Sequence, residues 1–340
     1  MDMGSARGAS TVVGVLLLVG IVVIVGGVVA LGALTFLDGT GTPQATANFD
    51  YEETPVGIRM TPSAISTTVT VQLNGRDVAT FGPNSAGQSV LLPTAPGDRI
   101  TVVSRDREQS VLVQRTVDDR SEVGDFIAYY RFDSGSGDTL VDRSGNDNNG
   151  TLKNSDVGDS GPSWNSDSLT FDGQGDYVEI NNLNTPVSNV SEFTIAIAYR
   201  TESGTEKQEL VEHISESDNW GSELKPCSSE CSESEYKPVF FVDEAGGSQT
   251  GQIFANKQTE NERHVLVGTY DRSAGETTVY VDGESEATGS FNSEINMGDF
   301  YIGRDAEGSS DFLDGEIFEI RLYYTAFDGE EVQVVTKAME

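Results

Sequence analysis

The longest hydrophobic pattern comes first in the chain. From Ala9 to Leu37 there are 29 residues without a charge, centred on the Val, Leu, Ile and Gly run Val12 to Val25. As a helix this run is about 44 Å long at 1.5 Å per residue. A bilayer core is about 30 Å thick, so the run is predicted to span a membrane with some tilt or excess length. A secretory signal has a shorter apolar region that closes on a small-residue cleavage site. Here the run passes instead into Asp38-Gly39-Thr40-Gly41-Thr42-Pro43, which reads as a linker over 38–48. Gly20 and Gly27 lie seven apart on one helix face, where a second helix can approach closely.

Between about residues 49 and 120 the pattern changes to short alternations. Thr68-Val69-Thr70-Val71-Gln72-Leu73 alternates polar and apolar, and Asn74-Gly75 leads into Val78-Ala79-Thr80-Phe81. Asn-Gly between two such runs predicts a tight hairpin. Further strands are expected at Ser89–Leu92, Asp98–Val103 and Gln109–Val113, punctuated by Pro93, Pro96 and Gly97. A β domain of about 70 residues is marginal by itself and gains from packing on neighbours.

From residue 124 to the end, turns recur at short intervals with no long helical period. That spacing predicts an all-β sandwich or jelly roll. Asp282-Gly283 is expected to turn a hairpin after Thr278-Val279-Tyr280-Val281. Asp328-Gly329-Glu330-Glu331 places an N-cap and an acid three residues on, a capping box for one short final helix.

Charge sharpens this division. The chain of 340 residues carries 21 Lys and Arg against 55 Asp and Glu, a net charge of −34. Residues 1–120 hold 8 basic and 11 acidic groups, and residues 121–340 hold 13 and 44. Such a surface repels a phosphate backbone, so no nucleic-acid partner is expected. An acidic, Lys-poor domain stays soluble where salt screens self-repulsion, which points to a halophile; an ordinary acidic secreted domain is the alternative. Arg7 is the basic residue flanking the apolar run. By the positive-inside rule it places residues 1–8 in the cytoplasm and the chain after Asp38 outside the cell.

Two stretches resemble known families. A short polar leader, Arg7-Gly8, and then Ala9-Ser10-Thr11-Val12-Val13-Gly14 resemble the processing site of archaeal type IV pilins. The resemblance implies a leader over 1–8, cleavage between Gly8 and Ala9 by a prepilin-type peptidase, and a retained helix over 9–37. It also implies a small β headgroup over 49–120 and, in a filament, contact with other pilin subunits. Thr11 departs from the Pro common in haloarchaeal pilins. A plain N-terminal membrane anchor is the alternative.

The second resemblance covers residues 124–340. It rests on Tyr129-Tyr130-Arg131-Phe132-Asp133, Gly137 to Leu152, Leu169 to Val178, Phe193 to Ile197, His264 to Tyr270, Val279 to Gly283, Ile302-Gly303-Arg304, and Asp314 to Tyr323. Their succession resembles the laminin-G-like, concanavalin A-like jelly roll. Tyr199 stands where that family has Trp, and Phe318 where it often has Asp. The acidic stretch Thr201 to Thr250 is unlike the family.

The fold hosts both lectins and glycoside hydrolases, so the chemistry must come from the residues. Glycoside hydrolysis needs two carboxylates flanking one bond, about 5–9 Å apart. No Glu-x-Asp-x-Glu run occurs. The members of Glu209-x-x-Glu212 and of Glu316-x-x-Glu319 are expected on opposite strand faces, because side chains alternate. No catalytic residue is therefore expected, and His264 is read as structural. Asp142, Ser144, Asn146 and Asn148 alternate through a tight loop, a spacing that suits the oxygen ligands of Ca²⁺. Many laminin-G-like domains bind Ca²⁺, and the resemblance makes Asp142, Asn146 and Asn148 the candidate ligands, with Glu319 more distant. A loop closed by Asx-turn hydrogen bonds is the alternative. Cys227 and Cys231 are the two cysteines, and outside the cell a local disulfide is expected. Asn149 and Asn189 head glycosylation triplets.

The sequence thus predicts a mainly β protein: a membrane helix, a small β domain and a concanavalin A-like jelly roll. The expected role is a single-pass surface protein, pilin-like or simply anchored, that displays the jelly roll to a glycan or protein ligand, with Ca²⁺ as a candidate cofactor. The alternatives are a structural or minor pilin subunit without ligand and, less favoured, a glycoside hydrolase.

Overall fold

A computed structural model describes residues 45–340 apart from 86, 105–109, 119–122, 156–160, 185–189, 202–206, 215–217, 228–234, 245–251, 294 and 307–310. The leader, the Gly8-Ala9 junction and the apolar run lie outside the described residues. Among the described residues no helix is long and apolar enough to cross a membrane.

Residues 46–340 form one compact unit of antiparallel strands with a single described helix. Two large sheets make a sandwich. The first runs in the order Ile253–Phe254, Glu235–Glu244, Asp218–Cys227, Gln208–Ile214, Asp299–Ile302, Asp176–Ile180, Gly150–Asn154, Thr139–Leu140. The second runs Ser163–Trp164, Leu169–Asp172, Asp314–Tyr323, Glu192–Thr201, His264–Asp271, Glu276–Val281, Glu284–Ser290, with Phe126–Arg131 also paired to Asp314–Tyr323. Side chains alternate between faces of a strand, so Ile195, Ile197 and Tyr199 enter the core between the sheets. They meet Val178, Ile180, Trp220 and Phe240 from the facing sheet there. The packing is close. A Cβ on Gly268 would lie 2.3 Å from the Phe240 ring, so only glycine fits at that crossing.

The region 47–117 forms two smaller sheets. One holds Ala47–Thr54, Gly57–Ile65 and Val90–Leu92; the other holds Arg76–Phe81, Val69–Leu73, Arg99–Ser104 and Ser110–Thr116. The Asn74-Gly75 hairpin forms as its sequence predicts, with φ of 53° and 84°. The strands Ala47–Thr54 and Gly57–Ile65 lack a clean alternation.

The outer face of the second large sheet is roofed. Ala196, Ala198, Val265, Val267 and Tyr323 share one buried cluster with Val56, Ile58, Met60 and Leu92 of the 47–117 region. Val332, Val335 and Met339 of the C-terminal helix Gly329–Met339 complete it. Polar bonds pin the seam: Asp125 N–H donates to the Pro55 carbonyl at 2.8 Å, and Arg321 Nη1 to the Pro93 carbonyl at 3.1 Å. The helix begins at the expected capping box, where the Asp328 carboxylate accepts from Glu330 and Glu331 N–H while Glu331 accepts from Asp328 N–H.

Candidate functional site

The loop 142–149 spends its polar groups on the protein itself. Asp142 Oδ1 accepts from the N–H of Tyr129 and Ser144, and Oδ2 from the Ser144 hydroxyl and Asn148 N–H, at 2.8–2.9 Å. Asn146 Nδ2 donates to the carbonyls of Phe126 and Ile127, and Asn148 Nδ2 to those of Ile127 and Asn184. Asn148 Oδ1 accepts from Asn184 N–H at 2.6 Å. Glu319 turns to Arg321, with Oε1 2.6 Å from its Nε. A calcium ion needs oxygens with free lone pairs at one point, and both Asp142 oxygens already accept two hydrogen bonds each. The set Asp142, Asn146, Asn148 and Glu319 does not fit a shared cation in this arrangement. The loop stitches the strand Phe126–Arg131 to its neighbours by Asx-type bonds.

The carboxylate pairs are arranged differently from the expectation of strict alternation. The register slips between Glu209 and Val211, so Leu210 is an extra residue in its strand. Leu210 and Val211 both enter the core, and Glu209 and Glu212 are left on the same, opposite face. A second slip falls opposite Ala198 and Tyr199, which pair with Glu319 and Ile317 and leave Phe318 as the extra residue. Glu316 and Glu319 therefore share a face as well. A bulge re-aims side chains in this way because it adds one residue to a period of two. All four carboxylates are held by the protein. Glu209 lies 3.3 Å from Lys207 Nζ, Glu212 accepts from Ala306 N–H at 2.7 Å, and Glu316 lies 2.7 Å from Arg200 Nη2.

Beside Glu212 the outer face of the first sheet carries aromatic groups. Tyr301 pairs with Glu212 on one side and Glu179 on the other. The Arg304 guanidinium sits 4.2 Å from the Tyr177 ring centre and 4.5 Å from that of Tyr301. Burial, followed by the charges of Asp299 and Glu179, raises the Tyr301 phenol above its ordinary pKa. Thr151 and Lys153 are exposed on the next strand, so the face is reachable there.

Residues 172–333 match the family profile described as the concanavalin A-like lectin/glucanases superfamily, Laminin_G_3. They form a concanavalin A-like domain. Solved structures of similar shape include domain 4 of AbnA, a GH43 extracellular arabinanase from Geobacillus stearothermophilus in complex with arabinotriose. It is 16% identical with a TM-score of 0.47, over 62% of this chain and 98% of that one. The botulinum neurotoxin serotype D binding domain matches at 14% identity and 0.42, over 63% of this chain and 51% of its own. The neurotoxin DC binding domain in complex with rat synaptotagmin II matches at 12% and 0.47, over 64% and 52%. The chain thus spans about half the length of the two neurotoxin domains, and at these scores the likenesses add nothing to the family match. No curated protein matches in sequence.

Within the concanavalin A-like domain, the two departures from the family pattern have local explanations. The Tyr199 hydroxyl is buried and lies 2.6 Å from Thr259 Oγ1, and Phe318 lies under the Arg263 guanidinium at 4.3 Å. Asn149 is exposed, and its side-chain carbonyl accepts from Asp142 N–H at 2.9 Å. Asn189, Cys231 and the Cys227 side chain lie outside the described residues. Tyr177 and Arg304 stand in motifs that carry the resemblance, but the sequence did not bring them together with Tyr301 as one group. Its available signal was a tyrosine at the outward position of a strand whose inward positions are Val178 and Ile180.

Proposed function

We propose that this protein is a membrane-anchored, pilin-like surface protein that presents its concanavalin A-like domain to a glycan or protein ligand outside the cell. One observation carries the reading. The second sheet is roofed by the chain's own β region and helix, while the first sheet keeps an outer face on which Tyr177 and Arg304 are part-exposed, Arg304 lying over the buried Tyr301 ring. A rigidly seated sandwich with one face left over is suited to recognition. Tyrosine rings offer flat apolar area with a polar tip, and carboxylates and guanidinium beside them hydrogen-bond hydroxyl groups. The family description, lectin and glucanase, names carbohydrate as the class of ligand to try first. The uncharged run 9–37 and the Arg7-Gly8-Ala9 junction in the sequence support anchoring and processing.

The test is a glycan-array screen of the detergent-solubilised full chain, paired with Tyr177→Ala and Arg304→Ala. The expected result is binding to a defined glycan group that both substitutions weaken. Absence of binding to any glycan, together with unchanged surface adhesion of cells lacking residues 124–340, overturns the recognition role. Release of reducing sugar from the bound glycan would replace binding with hydrolysis.

A further inference from the structure

The loop 142–149 holds three asparagines, and two of them are spent on the fold. Asn146 Nδ2 and Asn148 Nδ2 each donate to two backbone carbonyls. Asn149 differs. It is exposed, its Oδ1 accepts from Asp142 N–H at 2.9 Å, and its Nδ2 donates to no group among the described residues. Its neighbours hold it there. Asp142 is buried, and its carboxylate is fixed by four hydrogen bonds. Gly150 opens the strand Gly150–Asn154, where a Cβ would lie 2.6 Å from Val178 Cγ1, so this position faces the core and takes only glycine. Thr151 is exposed on the other face, paired with Thr139 on one side and Glu179 on the other. The Asn149 amide nitrogen thus stands in solvent at the short edge of the first sheet, beside the strand Thr139–Leu140.

We infer that Asn149 is the acceptor of an N-linked glycan, and that the hydrogen-bonded loop 142–149 is the scaffold that presents it. The inference rests on the extracellular placement in the proposed function and names a covalent modification that function does not use. Three features lead to it. First, Asn149-Gly150-Thr151 has the acceptor pattern, an asparagine and a threonine two residues on with no proline between. Of the loop's three asparagines, the one that heads this triplet is the one whose nitrogen the fold leaves over. Second, the linkage suits the folded loop. A side-chain amide carries two hydrogens on nitrogen and a separate carbonyl acceptor. Glycosylation replaces one hydrogen and leaves the carbonyl, so the bond from Asp142 N–H survives it. Third, a bulky hydrated group has room there, because Gly145, Asp147, Thr151 and Lys153 around it are exposed. The donor is a lipid-phosphate-linked oligosaccharide, and the catalyst a membrane transferase that acts outside the cell. Asn149 Nδ2 attacks C1 of the first sugar. The C1–N bond forms and the C1–O bond to phosphate breaks. The lipid phosphate leaves with that electron pair, and Nδ2 gives one proton to a base of the transferase.

Mass spectrometry of the full-length protein purified from the membranes of its native cells tests this, read on the tryptic peptide 144–153. The expected result is a glycan mass increment on Asn149. Asn149→Asp keeps an acceptor for Asp142 N–H and removes the nitrogen, and is expected to abolish the increment. Thr151→Ala, an exposed position that leaves the loop bonds in place, is expected to abolish it as well, and Thr151→Ser to retain it. An unmodified peptide 144–153 in the native protein overturns the inference. So does an increment on Asn146 or Asn148, or one that survives Thr151→Ala. Intact cells treated with an amine-reactive reagent that does not cross membranes separate this failure from that of the placement. Labelled lysines with an unmodified peptide remove the glycan and keep the domain outside the cell. Unlabelled lysines with an unmodified peptide remove both.

Discussion

At the scale of single residues, burial decides what each polar group does. His213 is fully buried and stacked on Trp220, with ring centres 5.2 Å apart. Gly298 N–H donates to its Nε2, so the proton sits on Nδ1. Desolvation pulls its pKa down from 6.5 to about 3. The folded protein therefore binds this proton less readily than the unfolded chain. Its contribution to stability is whole above pH 6.5 and is lost as pH falls toward 3, at about 1.4 kcal/mol per pH unit inside that window. Urea unfolding at pH 7 and pH 4.5 is expected to show the loss, and His213→Gln to reduce it. An equal pH dependence in the variant would remove His213 as the cause. Asp142 offers a second residue-scale case. Asp142→Ala deletes the acceptor of four buried hydrogen bonds and is expected to cost about 3 kcal/mol or more. Addition of calcium to the intact protein is expected to leave its Tm unchanged. A calcium-dependent rise in Tm would reinstate a cation at this loop.

At the scale of elements, alternation sets the strands and two bulges correct it. The alternation in Thr68–Leu73 and the Asn74-Gly75 turn are legible because turn chemistry and hydrophobic period agree there. The capping box at Asp328 is legible for the same reason: its bonds are local. Asp328→Ala is expected to cost about 1 kcal/mol, read as a small drop in unfolding midpoint. The bulges at Leu210 and Phe318 are invisible in sequence, because nothing local distinguishes an extra residue from a paired one. They arise where a strand must satisfy different partners on its two sides, and they move Glu212 and Glu319 to the faces of Glu209 and Glu316. Gly268 is a further element-scale case. Gly268→Ala drives a methyl group into Phe240 and is expected to cost about 1–3 kcal/mol, whereas Gly75→Ala meets nothing within 4 Å and is expected to cost about 1 kcal/mol through the strain of its positive φ.

At the scale of the whole molecule, the 47–117 region and the concanavalin A-like domain share one apolar cluster. Calorimetry of the detergent-solubilised chain is expected to show one unfolding transition for residues 46–340. Arg321 is buried at the seam against Glu319 and the Pro93 carbonyl. Arg321→Ala leaves Glu319 without its cation and is expected to destabilise by about 3–5 kcal/mol. Two separated transitions, with the variant shifting one alone, would show that the regions unfold independently. The net charge of −34 sets a further expectation. Screening shortens from about 8 Å at physiological salt to about 3 Å at 1 M, so self-repulsion falls and Tm rises with added KCl. A flat or falling Tm would remove the halophilic reading.

By itself the sequence determined the classes of its segments. Charge-free length, two-residue alternation, turn dipeptides and one capping box are local signals, and each reports a local free-energy preference. The succession of motifs from Tyr129 to Tyr323 was enough to place a concanavalin A-like domain. Only the tertiary structure decided which groups are spent and which are left. The Asp142 loop reads as a ligand set in sequence because acidic and amide side chains serve cations and backbone N–H groups equally well. Its partners at Tyr129, Ile127 and Asn184 come from other segments, so only the fold shows that hydrogen bonds occupy it. The roof over Ala196 and Ala198 and the Tyr177–Tyr301–Arg304 group likewise join residues far apart in the chain. Their meeting depends on strand register and sheet order, which no local pattern encodes.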